Sequence, residues 1–172
     1  MQLTIMGTEV QEILDHKAVQ HKIRRIAYQI YEANSKEDHI ILAGIAPNGY
    51  ILSQKLEKLL LEIAPFTITV CEVKLNKKKP LGTVTTRLTP EEYKNKAVVL
   101  IDDVLNSGTT LIYGVKHFLD VPLKRFKTAV LVNRNHKKYP IKADFKGISL
   151  STSLQESISV RFAKNNDSVV LQ

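Results

Sequence analysis

The sequence predicts an α/β fold in which a mainly parallel central sheet is flanked by helices. Short apolar segments rich in β-branched residues alternate along most of the chain with segments whose apolar residues repeat at helical spacing. Residues 98–101 are apolar throughout, as is typical of a strand buried on both faces of a parallel sheet. Two carboxylates, Asp102 and Asp103, follow this strand, at the edge where open sheets of this class bind their ligands.

The amino-terminal part of the chain predicts two helices and the strand between them. Residues 1–7 are expected to form an extended arm, and residues 9–33 an amphipathic helix. A buried strand over 40–45 comes next, and a turn at 46–49 leads into a helix over 50–61.

The middle of the chain predicts a hairpin with a basic, mobile tip. Residues 67–73 and 83–88 alternate as strands do, and the lysine-rich segment 74–80 lies between them. Residues 90–95 are expected to form a polar connector that leads back to the strand at 98–101.

Beyond the acidic pair the sequence predicts one helix and three strands. The helix has an apolar face within 111–119, and the strands cover 128–132, 157–162 and 168–171. A long basic excursion, 133–147, separates the first of these strands from the other two. We expect one domain.

The composition is typical of a globular protein, and the charge indicates an anionic ligand. Of 172 residues, 44% are hydrophobic and 24% charged. No apolar run approaches the roughly 18 residues of a membrane span, no signal peptide is evident, and Cys71 is the single cysteine. We therefore expect a cytoplasmic protein with no membrane partner. The net charge of +8 suits a small polyanionic ligand and equally suits nucleic acid. Most of the individual lysines are nevertheless expected to be ordinary solvated surface residues.

A loop that can bind a phosphate follows the acidic pair. It consists of Asn106, Ser107, Gly108, Thr109 and Thr110, which supply backbone N–H groups, hydroxyls and a glycine in front of a helix N-terminus. The loop lacks the lysine of a Walker A motif, and the chain lacks a dinucleotide fingerprint, so a phosphate monoester is expected. The ribose of a bound 5-phosphate would then meet both carboxylates. The alternative is an ordinary strand and capped helix with solvated acids.

Residues 98–110 resemble the phosphoribosyl pyrophosphate (PRPP) motif of type I phosphoribosyltransferases, with a strand, two aspartates and a small-residue loop. Residues 129–153, with Pro-Ile-Lys-Ala-Asp-Phe-Lys-Gly inside them, resemble the pyrimidine operon attenuator/uracil phosphoribosyltransferase subfamily. The resemblance covers nearly the whole chain. It implies the type I phosphoribosyltransferase fold as one domain over 1–172, with a small hood mainly from 133–156.

The resemblance also assigns residues to the site. Asp102 and Asp103 would be the catalytic acids that bind the ribose hydroxyls, and residues 106–110 would hold the 5-phosphate. The turn at 46–49 would be the pyrophosphate loop, formed by Ala46, Pro47, Asn48 and Gly49. The Ala46-Pro47 bond is expected to be either cis, as in the family, or an ordinary trans bond.

By the same resemblance Phe145 would stack on the nucleobase, while Lys142 and groups near Lys146 and Gly147 would bind its edge. The alternative for Phe145 is an ordinary core aromatic. The pyrophosphate loop departs from the subfamily because it lacks basic and hydroxyl groups, which the lysines at 77–79 could replace electrostatically.

The expected function is Mg²⁺-dependent transfer of a phosphoribosyl group from PRPP to a nucleobase, with uracil as the first candidate. The metal would be held through PRPP and not by the protein directly. The expected partners are PRPP, a nucleobase or nucleoside monophosphate, and a second copy of the chain in a dimer. The alternative is a nucleotide-sensing regulator that binds RNA and has weak or no transferase activity.

Overall fold

The structure is a computed structural model that describes residues 10–172 and contains thirteen helices and strands within that range. In chain order they are β1 (Gln11–Leu14), α1 (His16–Ala33), β2 (His39–Ile45), α2 (Asn48–Ile63), β3 (Thr67–Lys74), β4 (Thr85–Thr86), α3 (Pro90–Tyr93), β5 (Ala97–Leu105), α4 (Thr109–Phe118), β6 (Arg125–Arg134), β7 (Phe145–Leu150), β8 (Ile158–Arg161) and β9 (Ser168–Leu171). The extended arm expected at 1–7 lies outside the described residues.

The main sheet has six strands in the order β4-β3-β2-β5-β6-β7. All neighbours pair in parallel except β4, which forms the expected hairpin with β3. Along β5, Val99 and Ile101 belong to the core shared with α1 and α2, whereas Val98 and Leu100 belong to the core shared with α4. Helices therefore cover both faces of the sheet, which confirms the predicted α/β fold.

A second sheet has three antiparallel strands in the order β1-β9-β8 and joins the two ends of the described chain. Residues 11–14 were expected to begin a helix, and this prediction is wrong because they pair with β9. The helix begins after Asp15, whose Oδ1 accepts the backbone N–H of Ala18 at 2.8 Å and so caps it.

Other segments differ from the prediction in extent. The connector expected at 90–95 contains the short helix α3, which is held by a capping box between Thr89 and Glu92. Residues 145–150, inside the segment expected to form most of the hood, are the edge strand β7 of the main sheet. The division of the chain into a domain and a hood stays a prediction.

Three neighbouring strands bring the candidate loops to one edge of the sheet. Parallel β2, β5 and β6 end at Ile45, Leu105 and Arg134, so the turn after β2 and the loop after β5 are neighbours there. This is the ligand-binding edge expected for an open parallel sheet.

Candidate active site

The acidic pair lies inside β5 and not after it, since the strand continues to Leu105. Asp102 is buried and Asp103 is half-buried. Oδ1 of Asp102 accepts the backbone N–H of Asp103 at 2.9 Å and lies 3.4 Å from Nζ of Lys77. Lys77 belongs to the basic segment between β3 and β4, so this segment reaches the acidic pair.

Burial, and after it the neighbouring charge of Asp103, together raise the pKa of the Asp102 carboxyl to about 8. The ammonium group of Lys77 opposes this shift. The carboxyl is consequently protonated in most of the molecules near neutral pH. A ligand that offers hydroxyl donors or cations to Asp102 favours its ionised form.

The loop after β5 requires glycine at position 108. Gly108 has a left-handed φ of 84° and precedes α4, which begins at Thr109. A Cβ atom at this position would lie 2.6 Å from Cγ2 of Ile141. Both the backbone conformation and the packing therefore exclude a side chain here.

The same loop is braced by the chain that follows β6. The carbonyl oxygen of Ser107 accepts the backbone N–H groups of Lys138 at 2.8 Å and Tyr139 at 3.1 Å. The hydroxyls of Ser107 and Thr109 lie 2.8 Å apart. A small cavity of about 40 Å³ lies against the loop and is lined by Asp102, Asn106, Ser107, Gly108 and Thr110 among others. The structure thus brings the predicted phosphate loop and one of the two predicted catalytic acids to one cavity.

The turn after β2 contacts the other acid. The Ala46–Pro47 peptide bond is cis, which was one of the two expected alternatives. Asn48 begins α2, and its Nδ2 donates hydrogen bonds to Oδ2 of Asp103 at 2.9 Å and to the carbonyl oxygen of Val160 at 3.0 Å. Asn48 therefore joins the predicted pyrophosphate loop, the acidic pair and the three-stranded sheet.

Gly49 explains how closely this turn approaches β5. A Cβ atom on Gly49 would lie 2.5 Å from the carbonyl oxygen of Ile101 and 2.9 Å from Cα of Asp102. Only glycine permits this contact, so the start of α2 lies directly against the acidic pair.

Comparison with known proteins identifies the family. Residues 9–162 match the family described as the phosphoribosyl transferase domain. The chain belongs to the phosphoribosyltransferase family. Its curated relatives include the "Bifunctional protein PyrR" of Pediococcus pentosaceus, which is 32% identical over 94% of this chain and 98% of the relative. The protein of the same name from Haemophilus ducreyi is 34% identical over 87% of this chain and 88% of the relative. These matches confirm the resemblance inferred from the sequence.

Solved structures support the fold of this phosphoribosyltransferase. The hypoxanthine phosphoribosyltransferase of Trypanosoma cruzi matches with a TM-score of 0.74 and 13% identity, over 92% of this chain and 95% of that one. The hypoxanthine-guanine phosphoribosyltransferase of Bacillus anthracis matches with a TM-score of 0.67 and 18% identity, over 83% and 84% of the two chains. At these identities the likeness extends to the fold alone.

The structure does not bring the predicted base-binding residues of the phosphoribosyltransferase to the acidic pair. Phe145 is buried in the core on the α1 side of the sheet, which fits the alternative of an ordinary core aromatic. Lys142 is exposed, and its carbonyl oxygen accepts the hydroxyl of Thr128 near the start of β6. Lys146 is exposed on the edge strand, two strands from Asp102. Their role in base binding stays a prediction that no contact here supports.

Sequence reasoning missed polar groups at the end of β6. Asn133 is buried, pairs in register with Leu105 and donates from Nδ2 to the hydroxyl of Ser149 at 3.2 Å. Its Oδ1 has no hydrogen-bond partner among residues 10–172. The available signal was its position, a polar residue at the carboxyl end of a strand adjacent to the motif strand.

Arg134 connects the end of β6 to the segment before β8. Its guanidinium donates to the hydroxyl of Thr152 at 2.6 Å and to the carbonyl oxygens of Ser153 and Glu156 at 2.8 and 2.6 Å. Three such bonds fix residues 152–156 beside the carboxyl edge of the sheet.

Proposed function

We propose that this phosphoribosyltransferase transfers the phosphoribosyl group of PRPP to a pyrimidine base, with uracil as the first candidate, and releases diphosphate. The observation that carries the proposal is that Asp102 and the loop of Gly108 line one cavity at one edge of the sheet, with Asp103 next to Asp102 in β5. An acidic pair and a phosphate loop at one edge of the sheet suit the hydroxyls and the phosphate of a ribose 5-phosphate.

Different residues bind the phosphate and the ribose of PRPP. Backbone N–H groups and hydroxyls of residues 106–110, at the start of α4, hold the 5-phosphate. The carboxylates of Asp102 and Asp103 accept hydrogen bonds from the ribose hydroxyls. As the bond from C1 to diphosphate breaks, positive charge grows on the ribose ring, and the two carboxylates stabilise it electrostatically.

The donor set fits Mg²⁺ bound together with PRPP. Mg²⁺ prefers oxygen ligands and is commonly held by one or two carboxylates plus substrate oxygens. Asp102 and Asp103 would bind the ribose hydroxyls, so the metal would be held through PRPP, and residues 10–172 contain no group of three His, Cys, Asp or Glu side chains that would form a cage of their own. When bound, Mg²⁺ would neutralise part of the negative charge of the leaving diphosphate.

Lys77 provides the cation that the pyrophosphate loop lacks. The turn at 46–49 carries no charged side chain, whereas Nζ of Lys77 already lies 3.4 Å from Asp102. A diphosphate beside the acidic pair attracts this ammonium group, which then moves from carboxylate to phosphate. The lysine thereby offsets part of the departure from the subfamily pattern.

The test is a panel of bases incubated with PRPP and Mg²⁺, with released diphosphate as the readout. Uracil is expected to give turnover, and the Asp102→Asn/Asp103→Asn variant is expected to lose at least about a hundredfold of it. A circular dichroism spectrum confirms that the variant is folded. Absence of turnover with every base, or turnover unchanged in the variant, contradicts the proposal.

A second candidate function is an RNA-binding regulator, favoured by a basic surface on α1 and β7. Arg25 of α1 and Lys146 of β7 are exposed there. Arg25 donates to the carbonyl oxygens of Lys146 and Gly147, so the helix and the edge strand form one surface. An RNA gel shift at moderate salt, repeated with UMP, tests it: binding that UMP does not alter argues against a nucleotide sensor.

We also propose that the protein acts as a homodimer in the cytoplasm. None of the helices within residues 10–172 has the length and apolar character of a membrane span. Sedimentation equilibrium is expected to give twice the mass of the 19.4 kDa chain, and a monomer at micromolar concentration contradicts the dimer.

A further inference from the structure

A second cavity, distinct from the acidic pair, lies between α1, α2 and the turn that joins β8 to β9. Its volume is about 550 Å³, within the range of small-molecule sites. Its walls include Arg24 of α1, Lys55 and Lys58 of α2, and Lys164 of the turn. The roles proposed above for PRPP and RNA leave this cavity unexplained.

The cavity carries an excess of positive charge. Lys55 forms an ion pair with Asp167 at 2.9 Å. Arg24, Lys58 and Lys164 are exposed and form no ion pair within residues 10–172. Against these four cations stand the carboxylates of Asp167 and of Glu62, which also lines the wall. The balance of two positive charges favours an anion.

The wall beneath these cations is fixed by buried hydrogen bonds. The side chain of Asp167 is fully buried and accepts from Nε2 of Gln20 at 2.7 Å and from the backbone N–H of Ala163 at 3.0 Å, besides Lys55. Its own backbone N–H donates to Nδ1 of His16 at 3.0 Å. The ammonium group of Lys55 also lies 5.3 Å from the ring centroid of Phe162. Lys55 is therefore held in place before any ligand binds.

We propose that this cavity binds an oligophosphate chain, either inorganic or carried by a nucleotide. The cations come from three separate elements, and Lys55 and Lys58 are one helical turn apart on α2. Cations spread over three elements suit several linked phosphates better than a single phosphate. Phe162 gives the same cavity an aromatic wall that suits the base or ribose of a nucleotide.

The position of the cavity couples it to the acidic pair, a point that rests on the proposed function. Asn48, Ile51 and Lys55 lie on one face of α2, since they are three and four residues apart. Ile51 lines the cavity, while Asn48 contacts Asp103 and the carbonyl oxygen of Val160. An oligophosphate that shifts α2 or β8 therefore changes the affinity for PRPP, and PRPP changes the oligophosphate affinity by the same factor.

Calorimetric titration of tripolyphosphate into the full chain tests the site without turnover. The Lys58→Gln/Lys164→Gln variant removes two cations that form no ion pair among residues 10–172, and Lys36→Gln/Lys94→Gln removes two exposed cations elsewhere as a matched control. We expect about tenfold weaker binding in the first variant and less than about twofold change in the control. Equal affinity in all three proteins, or equal loss in both variants, overturns the proposal.

Two further arms identify the ligand. UTP that binds more tightly than tripolyphosphate, with the same loss in Lys58→Gln/Lys164→Gln, supports a nucleotide, and equal affinities support the phosphate chain alone. If Lys58→Gln/Lys164→Gln loses RNA binding but keeps its tripolyphosphate affinity, the cations of the cavity bind nucleic acid and the proposal fails. Because binding is measured directly, a protein without transferase activity still gives a clear result.

Discussion

The side-chain amide of Asn48 donates a hydrogen bond to Oδ2 of Asp103 over 2.9 Å and thereby fixes the start of α2 to the motif strand. The same amide donates to the carbonyl oxygen of Val160 in the three-stranded sheet. One residue thus orients an acid of the proposed site and ties the two sheets together.

Replacement of Asn48 is expected to weaken PRPP binding more than folding. Asn48→Ala removes both hydrogen bonds, so Asp103 loses its orientation, and the KM for PRPP is expected to rise about tenfold with a stability loss of about 1 kcal/mol. Steady-state kinetics and urea denaturation measure the two effects. In Asn48→Asp a carboxylate faces Asp103, and a PRPP affinity as high as that of the wild type would show that the contact has no role.

The buried acid is expected to make folding stability depend on pH. Because the pKa of Asp102 in the folded chain is about 8 and its ordinary value is 3.8, the folded state binds more protons than the unfolded state between these values. The contribution of Asp102 to the free energy of unfolding is therefore most favourable at low pH and becomes less favourable as the pH rises toward 8.

Asp102→Asn removes this dependence and is expected to raise the melting temperature by several degrees at pH 8 and by less at pH 5. Thermal denaturation at both pH values measures the difference. A variant that is less stable than the wild type at pH 8 would show that the ionised carboxylate is satisfied within the fold.

Affinity for PRPP is expected to increase with pH in the wild type. Ribose hydroxyls and Mg²⁺ favour ionised Asp102, and a pKa of about 8 means that most of this carboxyl is protonated near pH 7. Titrations of PRPP with Mg²⁺ between pH 6.5 and about 9 are expected to show tighter binding at the alkaline end. A flat profile would contradict the role of Asp102.

Lys77 is expected to adjust that profile. Lys77→Gln removes the ammonium group that lowers the pKa of Asp102, so the profile moves to higher pH, and the diphosphate loses a cation. Lys78→Gln is the matched control, because this neighbouring lysine is exposed and makes no ion pair within residues 10–172. If PRPP affinity depends on pH identically in the two variants, Lys77 has no role at the site.

Gly108 is expected to tolerate no side chain. Gly108→Ala combines a φ of 84° with a Cβ atom 2.6 Å from Ile141, and it is expected to cost more than about 1 kcal/mol of stability and most of the PRPP affinity. The Gly108→Ala/Ile141→Ala double variant removes the clash and leaves the backbone strain, so only partial recovery is expected. Full activity of Gly108→Ala would contradict the assigned loop geometry.

Local sequence signals predicted the parts of the fold that local interactions determine. The apolar run at 98–101, the acidic pair and Gly108 lie within eleven residues of one another, and the structure brings Asp102 and Gly108 to one cavity, although the strand extends past the acidic pair to Leu105. Residues 11–14 were misassigned because their partner strand, β9, lies more than 150 residues away, and no local pattern reports such a pairing.

The site was predictable only where it follows the motif strand. Asn48 was assigned to the pyrophosphate loop, but its contact with Asp103 depends on how α2 packs on β5, which sequence does not display. Phe145 fits a base-stacking pattern as well as it fits a core strand, and its burial beside α1 depends on the register of β7 with β6.

The central claim is that the Asp102–Asp103 edge binds the ribose of PRPP, and calorimetric titration of PRPP with Mg²⁺ tests it most directly. The wild-type chain is expected to bind one PRPP per site, and the Asp102→Asn/Asp103→Asn variant, folded by circular dichroism, to bind at least about tenfold more weakly. Equal affinity in the two proteins, or no binding by the wild type, would contradict the account.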